Sequence, residues 1–168
     1  MPTLTAGLTA KLTATYAGSP DAGTLQQQLT YSAAASLANG TGANQANRLW
    51  IDTRTLAASA TEELDLAGVL TDAFGNVLTL SKIKAILIEA ADANVNDVLV
   101  GGAASNAWAA LFGDATDVLR VKPGGFVFVG APDANGLAVT AGSGDKLKLA
   151  NSAGSTSVTF TIILVGVE

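Results

Sequence analysis

From residue 82 onward, short apolar runs alternate with clusters of turn-forming residues. The runs are Lys82–Ala90, Asp97–Gly101, Asp117–Lys122, Phe126–Ala131, Gly136–Thr140, Lys146–Ala150 and Thr156–Val167. They are broken by Asp92-Ala-Asn-Val-Asn, Pro123-Gly-Gly, Pro132-Asp-Ala-Asn-Gly, Gly142-Ser-Gly-Asp and Asn151-Ser-Ala-Gly. Strands spaced this regularly predict an all-β sandwich or barrel. In Lys82–Ala90, Ile83, Ala85 and Leu87 oppose Ile86 and Ile88, so both faces are apolar and a central strand is predicted. The last run sets Val158, Phe160, Ile162 and Leu164 against Ile163, Val165 and Val167, which predicts a strand buried in the core or lying against a neighbouring subunit.

The first half is less regular. Leu4–Tyr16 spaces leucines four apart, but threonines at 3, 5, 9, 13 and 15 favour extended backbone. Gly18-Ser-Pro-Asp-Ala-Gly23 reads as a turn. Leu25–Leu37 has apolar residues four apart and also Thr30-Tyr-Ser32; a strand is expected, with a helix as the alternative. Arg48–Ala57 places Leu49, Ile51 and Thr53 on one face and Trp50, Asp52 and Arg54 on the other, a half-buried strand. Thr61–Leu66 alternates, and Asp72-Ala-Phe-Gly-Asn76 is a tight connection before Val77–Leu80. Ser105–Phe112 is expected to form one short helical turn, capped by Asn106 and ended by Gly113. Residues 1–23 are thus read as an N-terminal arm or first strand and residues 24–168 as a sandwich domain.

Composition narrows the chemistry. The chain of 168 residues contains neither cysteine nor histidine, which removes disulfides, thiolate chemistry, the commonest general base and the commonest metal ligand. This weighs against an enzyme, and no cofactor or metal is implied. Only 14% of residues are charged against 49% hydrophobic, so part of the surface is expected to be covered by neighbouring subunits. A net charge of −5 with nine Lys and Arg argues against nucleic acid as a partner. Phe160–Val167 is too short to span a bilayer, so no membrane partner is expected. Met1-Pro-Thr-Leu-Thr-Ala-Gly-Leu8 lacks the cationic and apolar segments of a secretory signal, and folding in a cytoplasm is expected.

The candidate sites each have a plainer reading. Asp92-Ala-Asn-Val-Asn-Asp97 alternates like a calcium loop but has Asp97 where such loops need Gly and Ala103 where a bidentate Glu belongs, so a turn explains it better. Gly101-Gly-Ala-Ala and Gly142-Ser-Gly-Asp145 lack phosphate-loop spacing. Asp52 and Arg54 share a strand face and could orient a ligand, though such pairs are common on surfaces. Glu62, Glu63 and Asp65 could pair for glycoside hydrolysis, though a solvated strand face suffices. With histidine absent, only Lys82 or Lys84 could activate a hydroxyl, and both read as structural or surface residues. Trp50 and Trp108 could stack on a sugar, but core or interface anchoring is the commoner use.

Three stretches carry a resemblance: Ala43-Asn-Gln-Ala-Asn-Arg-Leu-Trp-Ile-Asp-Thr-Arg-Thr-Leu-Ala57; Leu64-Asp-Leu-Ala-Gly-Val-Leu-Thr-Asp-Ala-Phe-Gly-Asn76 with Leu80-Ser-Lys-Ile-Lys-Ala-Ile86; and Val100-Gly-Gly-Ala-Ala-Ser-Asn-Ala-Trp108 through Pro123-Gly-Gly125. With Gly136–Ile163 they resemble small virion structural proteins of tailed bacteriophages. The resemblance covers about residues 43–168 and has no catalytic element. It implies a jelly-roll-like antiparallel β-sandwich that decorates or cements the capsid surface, as a homotrimer bound to the major capsid protein. The alternative is a head-spike base, tail or fibre module that binds a host glycan. Inter-subunit contacts are expected from Leu4, Leu8, Leu12 and Tyr16 in the arm and from Trp50 and Arg54, with Trp108 and Phe112 packing at the sandwich end.

Overall fold

A computed structural model describes residues 2–168; Met1, the first residue of the expected arm, lies outside them. The strands in chain order are β1 (Ala6–Gly18), β2 (Leu25–Asn39), β3 (Gln45–Ala46), β4 (Arg48–Leu56), β5 (Thr61–Asp65), β6 (Ala67–Thr71), β7 (Val77–Thr79), β8 (Lys82–Ala90), β9 (Val98–Gly101), β10 (Val118–Val121), β11 (Phe126–Gly130), β12 (Leu137–Ala138), β13 (Lys146–Asn151) and β14 (Val158–Val167). The protein is all-β. Two antiparallel sheets pack face to face, one ordered β11-β8-β14-β4 with β12 also on β8, the other β10-β9-β13-β5. After β5 the chain forms the small β6–β7 hairpin, and from β4 to β14 it crosses repeatedly between the two sheets.

The alternating pattern sets the core. Leu64 of β5, Val98 and Val100 of β9, Val121 of β10 and Leu147 and Leu149 of β13 meet Trp50, Ile86, Ile88, Phe160, Ile162 and Leu164 of the facing sheet, all buried. β8 has the predicted bounds and sits between β11 and β14. β14 is also interior, paired along its length with β8 and β4, so its second apolar face is covered partly within the chain. Lys84 is the extra residue where the β8–β14 register shifts, with Ile83 opposite Gly166 and Ala85 opposite Val165.

Leu25–Asn39 is a strand, not the helix held as the alternative. It pairs with β1 from Ala6–Leu37 to Gly18–Leu25 without a break, and the turn at Pro20–Gly23 closes the tip. The expected boundary at residue 23 falls at this tip. Only the base of the ribbon packs on the sandwich: Leu8 and Leu37 are buried with Ala46, Ala85 and Val165. Beyond Leu8, nearly every ribbon residue is exposed. Replacing residues 11–32 by a tight turn between Ala10 and Ala33 is therefore expected to change the sandwich's urea stability by no more than ~0.5 kcal/mol. A larger loss would mean that the outer ribbon supports the core.

The helical turn expected at Ser105–Phe112 is absent. Asn106 adopts a left-handed conformation (φ 53° at Asn44, 59° at Ser59 and 50° at Asn106 are the non-glycine cases among the described residues). Its carbonyl accepts from the Asp145 and Lys146 amides, and Ala107 bridges to Lys146. A long-range pairing thus overrides the local helix preference of the alanines, leaving one tight turn closed by the Phe112 amide on the Ala109 carbonyl. Trp108 is nonetheless buried, with Phe112 half-buried against the same core.

Candidate functional site

The two outer faces of the sandwich differ in chemistry. On the β5–β13 side, Lys148 opposes Glu63 and Lys146 opposes Asp65, and Arg120 of β10 shares that outer surface. On the opposite side, β4 contributes Leu49, Ile51, Thr53 and Thr55, and β14 contributes Thr159, Thr161 and Ile163. The threonine hydroxyls satisfy one another across strands, Thr53 with Thr161 and Thr55 with Thr159, each at 2.9 Å. β8 and β11 extend this face with Leu87, Phe126 and Phe128, and Glu89 is the one charge among these positions. Leu49, Ile51 and Phe126 remain exposed.

The ribbon continues this surface. Cross-strand pairs Ala10–Ala33, Leu12–Tyr31 and Ala14–Leu29 lie on the same face as Leu8, whereas Lys11–Ser32, Thr13–Thr30 and Thr15–Gln28 lie on the other. Where the apolar face leaves the sandwich it opens a groove of about 620 Å³, bounded by Ala10, Leu12, Tyr31 and Ala33 on one side and Leu87, Phe126 and Phe128 on the other.

A second, polar cleft of about 470 Å³ lies where β4 and β5, the edge strands of the two sheets, come together. Arg54 spans it, donating through Nε to Asp52 at 2.9 Å and through Nη1 to Glu62. Its guanidinium lies 5.6 Å from the Trp50 ring centre. Also lining it, Lys146 of β13 holds Asp65 of β5 at 2.7 Å. The cleft unites residues that the sequence presented as separate candidates: Trp50, Asp52, Arg54, Glu62, Glu63 and Asp65. Their charges are largely consumed in mutual pairing, and Arg54 caps the buried indole, which leaves little open chemistry. Among the described residues, no group of three or more acidic side chains is arranged to hold a metal ion.

The other candidates are absorbed by structure. In the Asp92–Asp97 turn, Asn94 brackets Thr159, accepting from its amide and donating to its carbonyl, both at 2.8 Å. Asn96 donates to Asn151 and to the Thr156 carbonyl, and the Asp97 carboxylate accepts from Arg120 and Lys122 while its backbone N–H donates to the Ser152 hydroxyl. The side chains face separate partners instead of one centre. Lys82 donates to the Ala134 carbonyl at 2.9 Å and Lys84 to that of Asp133, so both tie down one loop. Burial, reinforced by the Lys82 charge, pushes the Lys84 ammonium below its ordinary pKa while Asp133 opposes the shift. Trp108 is 2% exposed, with its indole N–H on the Ala138 carbonyl at 2.8 Å.

Of the six residues expected at subunit contacts, Leu12 and Tyr16 are exposed, Leu4 and Arg54 are half-buried, and Leu8 and Trp50 are buried within their own chain. The exposed apolar side chains of β2, Leu25, Leu29 and Tyr31, were missed as contact candidates. The signal available was their alternation with Gln26, Gln28 and Thr30.

Five aspartates are held below the ordinary carboxylate range. For Asp65 the largest cause is the Lys146 hydrogen bond, and for Asp97 the Arg120 hydrogen bond, in each case opposed by desolvation. Asp72, Asp114 and Asp133 are held down chiefly by backbone amides of their own turns. A depressed folded-state pKa gives stability that is complete above the unfolded value of ~3.9 and is lost as pH falls through the folded value. Melting temperature is therefore expected to hold from neutral pH to about pH 4 and to fall below it. A melting temperature that stays constant below that point would contradict these pairings.

The fold and surface define a β-sandwich with a protruding two-stranded ribbon and a charge-poor apolar flank. Comparison with protein-family models, curated proteins and solved structures finds no match.

Proposed function

We propose that this chain is a non-catalytic assembly protein: a capsid decoration or cement protein of a tailed bacteriophage, bound as a homotrimer to the outer surface of the head. The observation that carries the reading is the charge-poor flank continued by the ribbon, on a sandwich whose polar clusters are internally paired. We further read the strand orders, with β4, β14, β8 and β11 in one sheet and β5, β13, β9 and β10 in the other, as the eight-strand winding of a jelly roll. The resemblance of residues 43–168 to small virion proteins supports the same role. Many identical contacts repeated over a shell sum to a large stabilisation against internal genome pressure.

The glycan-binding alternative has less support, because both indoles are enclosed: Trp50 lies beneath Arg54, and Trp108 is sealed in the core. Heads produced with and without the chain distinguish the readings by cryo-EM and heat challenge. Added density over the shell, with greater heat resistance, is the expected result. A bare shell with density at the portal or tail would overturn decoration.

A further inference from the structure

The ribbon's apolar face and the sandwich's flank are both poor in charge, and within one chain they already touch. At the ribbon base, Leu8 and Leu37 lie on Ala85 and Val165, with Phe128 packed beside them. Past that base both surfaces continue uncovered. On the ribbon, Leu12, Tyr16, Leu25, Leu29 and Tyr31 are 60%, 81%, 70%, 47% and 66% exposed. On the flank, Leu49, Ile51 and Phe126 are 46%, 59% and 69% exposed.

We propose that the outer ribbon of one copy lies on the flank of a second copy, repeating between chains the contact that its base makes within a chain. The inference deepens the assembly reading above and rests on it, though not on the shell as partner. Three observations select a second copy as the occupant. The intrachain contact shows that this sheet face accepts this ribbon face. Both surfaces are nearly uncharged: Lys11, the one charged residue in the two ribbon strands, lies on the ribbon's other face, and Glu89 is the one charge on the flank. A strongly acidic or basic partner would find no counterpart there. The area also suffices. The large apolar side chains named above leave on the order of 900 Å² in water. With the alanines and threonines between them, a ribbon-on-flank contact reaches the roughly 1,200 Å² at which specific interfaces begin.

The contact is heterologous, because ribbon meets flank and not ribbon meets ribbon. Every copy offers one of each, so a closed ring satisfies all of them. Leu12 and Tyr31, paired across the ribbon where the groove opens, are placed to be its anchors.

Sedimentation of the full chain tests this, with Leu12→Glu as the ribbon variant and Ile51→Glu as the flank variant. Both positions are exposed, so each variant should keep the wild-type near-ultraviolet circular dichroism. The wild type is expected to sediment as an oligomer at tens of micromolar. Each variant alone should weaken association by about thirtyfold or more and sediment as a monomer. An equimolar mixture of the two variants retains one intact ribbon and one intact flank, and is expected to form a dimer that does not grow further. A monomeric wild type, or variants that keep the wild-type mass, would overturn the inference. So would a mixture that stays monomeric, which rejects ribbon-to-flank pairing in favour of a self-matched contact. An oligomer that behaves as described but leaves heads unlabelled would instead count against the shell reading alone.

Discussion

Trp108→Ala is expected to lower unfolding stability by about 3–5 kcal/mol, a large part of the 5–15 kcal/mol typical of a domain. The indole is 2% exposed and packs against the main core. The surrounding backbone has little freedom to collapse into the space left behind: the Trp108 amide is bonded to the Lys146 carbonyl, and Ala107 is bridged to the same residue. The cavity would therefore persist. The Ala138 carbonyl would also lose its indole donor. Urea unfolding, followed by emission of the remaining Trp50, should show an earlier midpoint with the same slope. Trp108→Phe keeps much of the volume and removes the donor, so it should fall between the two. A midpoint within error of wild type for Trp108→Ala would show that this segment is not a fixed part of the core.

The next largest effect is expected at Asn151, whose amide makes four hydrogen bonds that join three segments at one end of the sandwich. Its Nδ2 donates to the Ala57 carbonyl at 3.0 Å and the Thr156 carbonyl at 2.7 Å. Its Oδ1 accepts from Asn96 at 3.0 Å and from the Ala153 amide at 3.2 Å. Asn151→Ala strands the Ala153 amide and takes one partner each from the Asn96 amide and from the Ala57 and Thr156 carbonyls, which keep the Ala60 amide and Asn96 respectively, and should cost about 1–3 kcal/mol. Asn151→Asp keeps the acceptor but turns an oxygen toward two carbonyls. At neutral pH it should be at least as damaging as alanine, and it should recover partly in acid, where the protonated carboxyl can donate again. Thermal melts of both variants across pH check the assignment; equal melts for Asn151→Asp at pH 4 and pH 7 would contradict it.

Much of the sandwich was legible because its strands alternate strictly between a buried and an exposed side. Lys82–Ala90 and Thr156–Val167 declared themselves by being apolar on both sides, and both proved interior. β6 was missed because Gly68, at φ 155°, and a register shift between Ala67 and Thr71 break the alternation. Ser105–Phe112 was misread because its partner, Lys146, lies in a strand that begins 34 residues beyond Phe112. The polar cleft was illegible for the same physical reason. Asp52 and Arg54 are neighbours along one strand, but their meeting with Glu62 depends on β4 and β5 forming edges of different sheets on the same side. No local period encodes that. The apolar side of the ribbon was half visible, in the leucines of β1, while the ambiguity between helix and strand in Leu25–Leu37 obscured the matching half.

The unbroken ladder of the ribbon also makes it a ruler. Thirteen residues of β1 at about 3.3 Å each set a reach of roughly 40 Å. Side chains alternate with a period of two, so the graduations come in pairs. Two residues added to each strand would carry the tip about 7 Å outward with its apolar side still aligned. One residue added to each would turn every more distal leucine and tyrosine to the threonine side. Chains built on this plan but spaced at a different pitch should therefore differ between Ala6 and Asn39 by multiples of four residues.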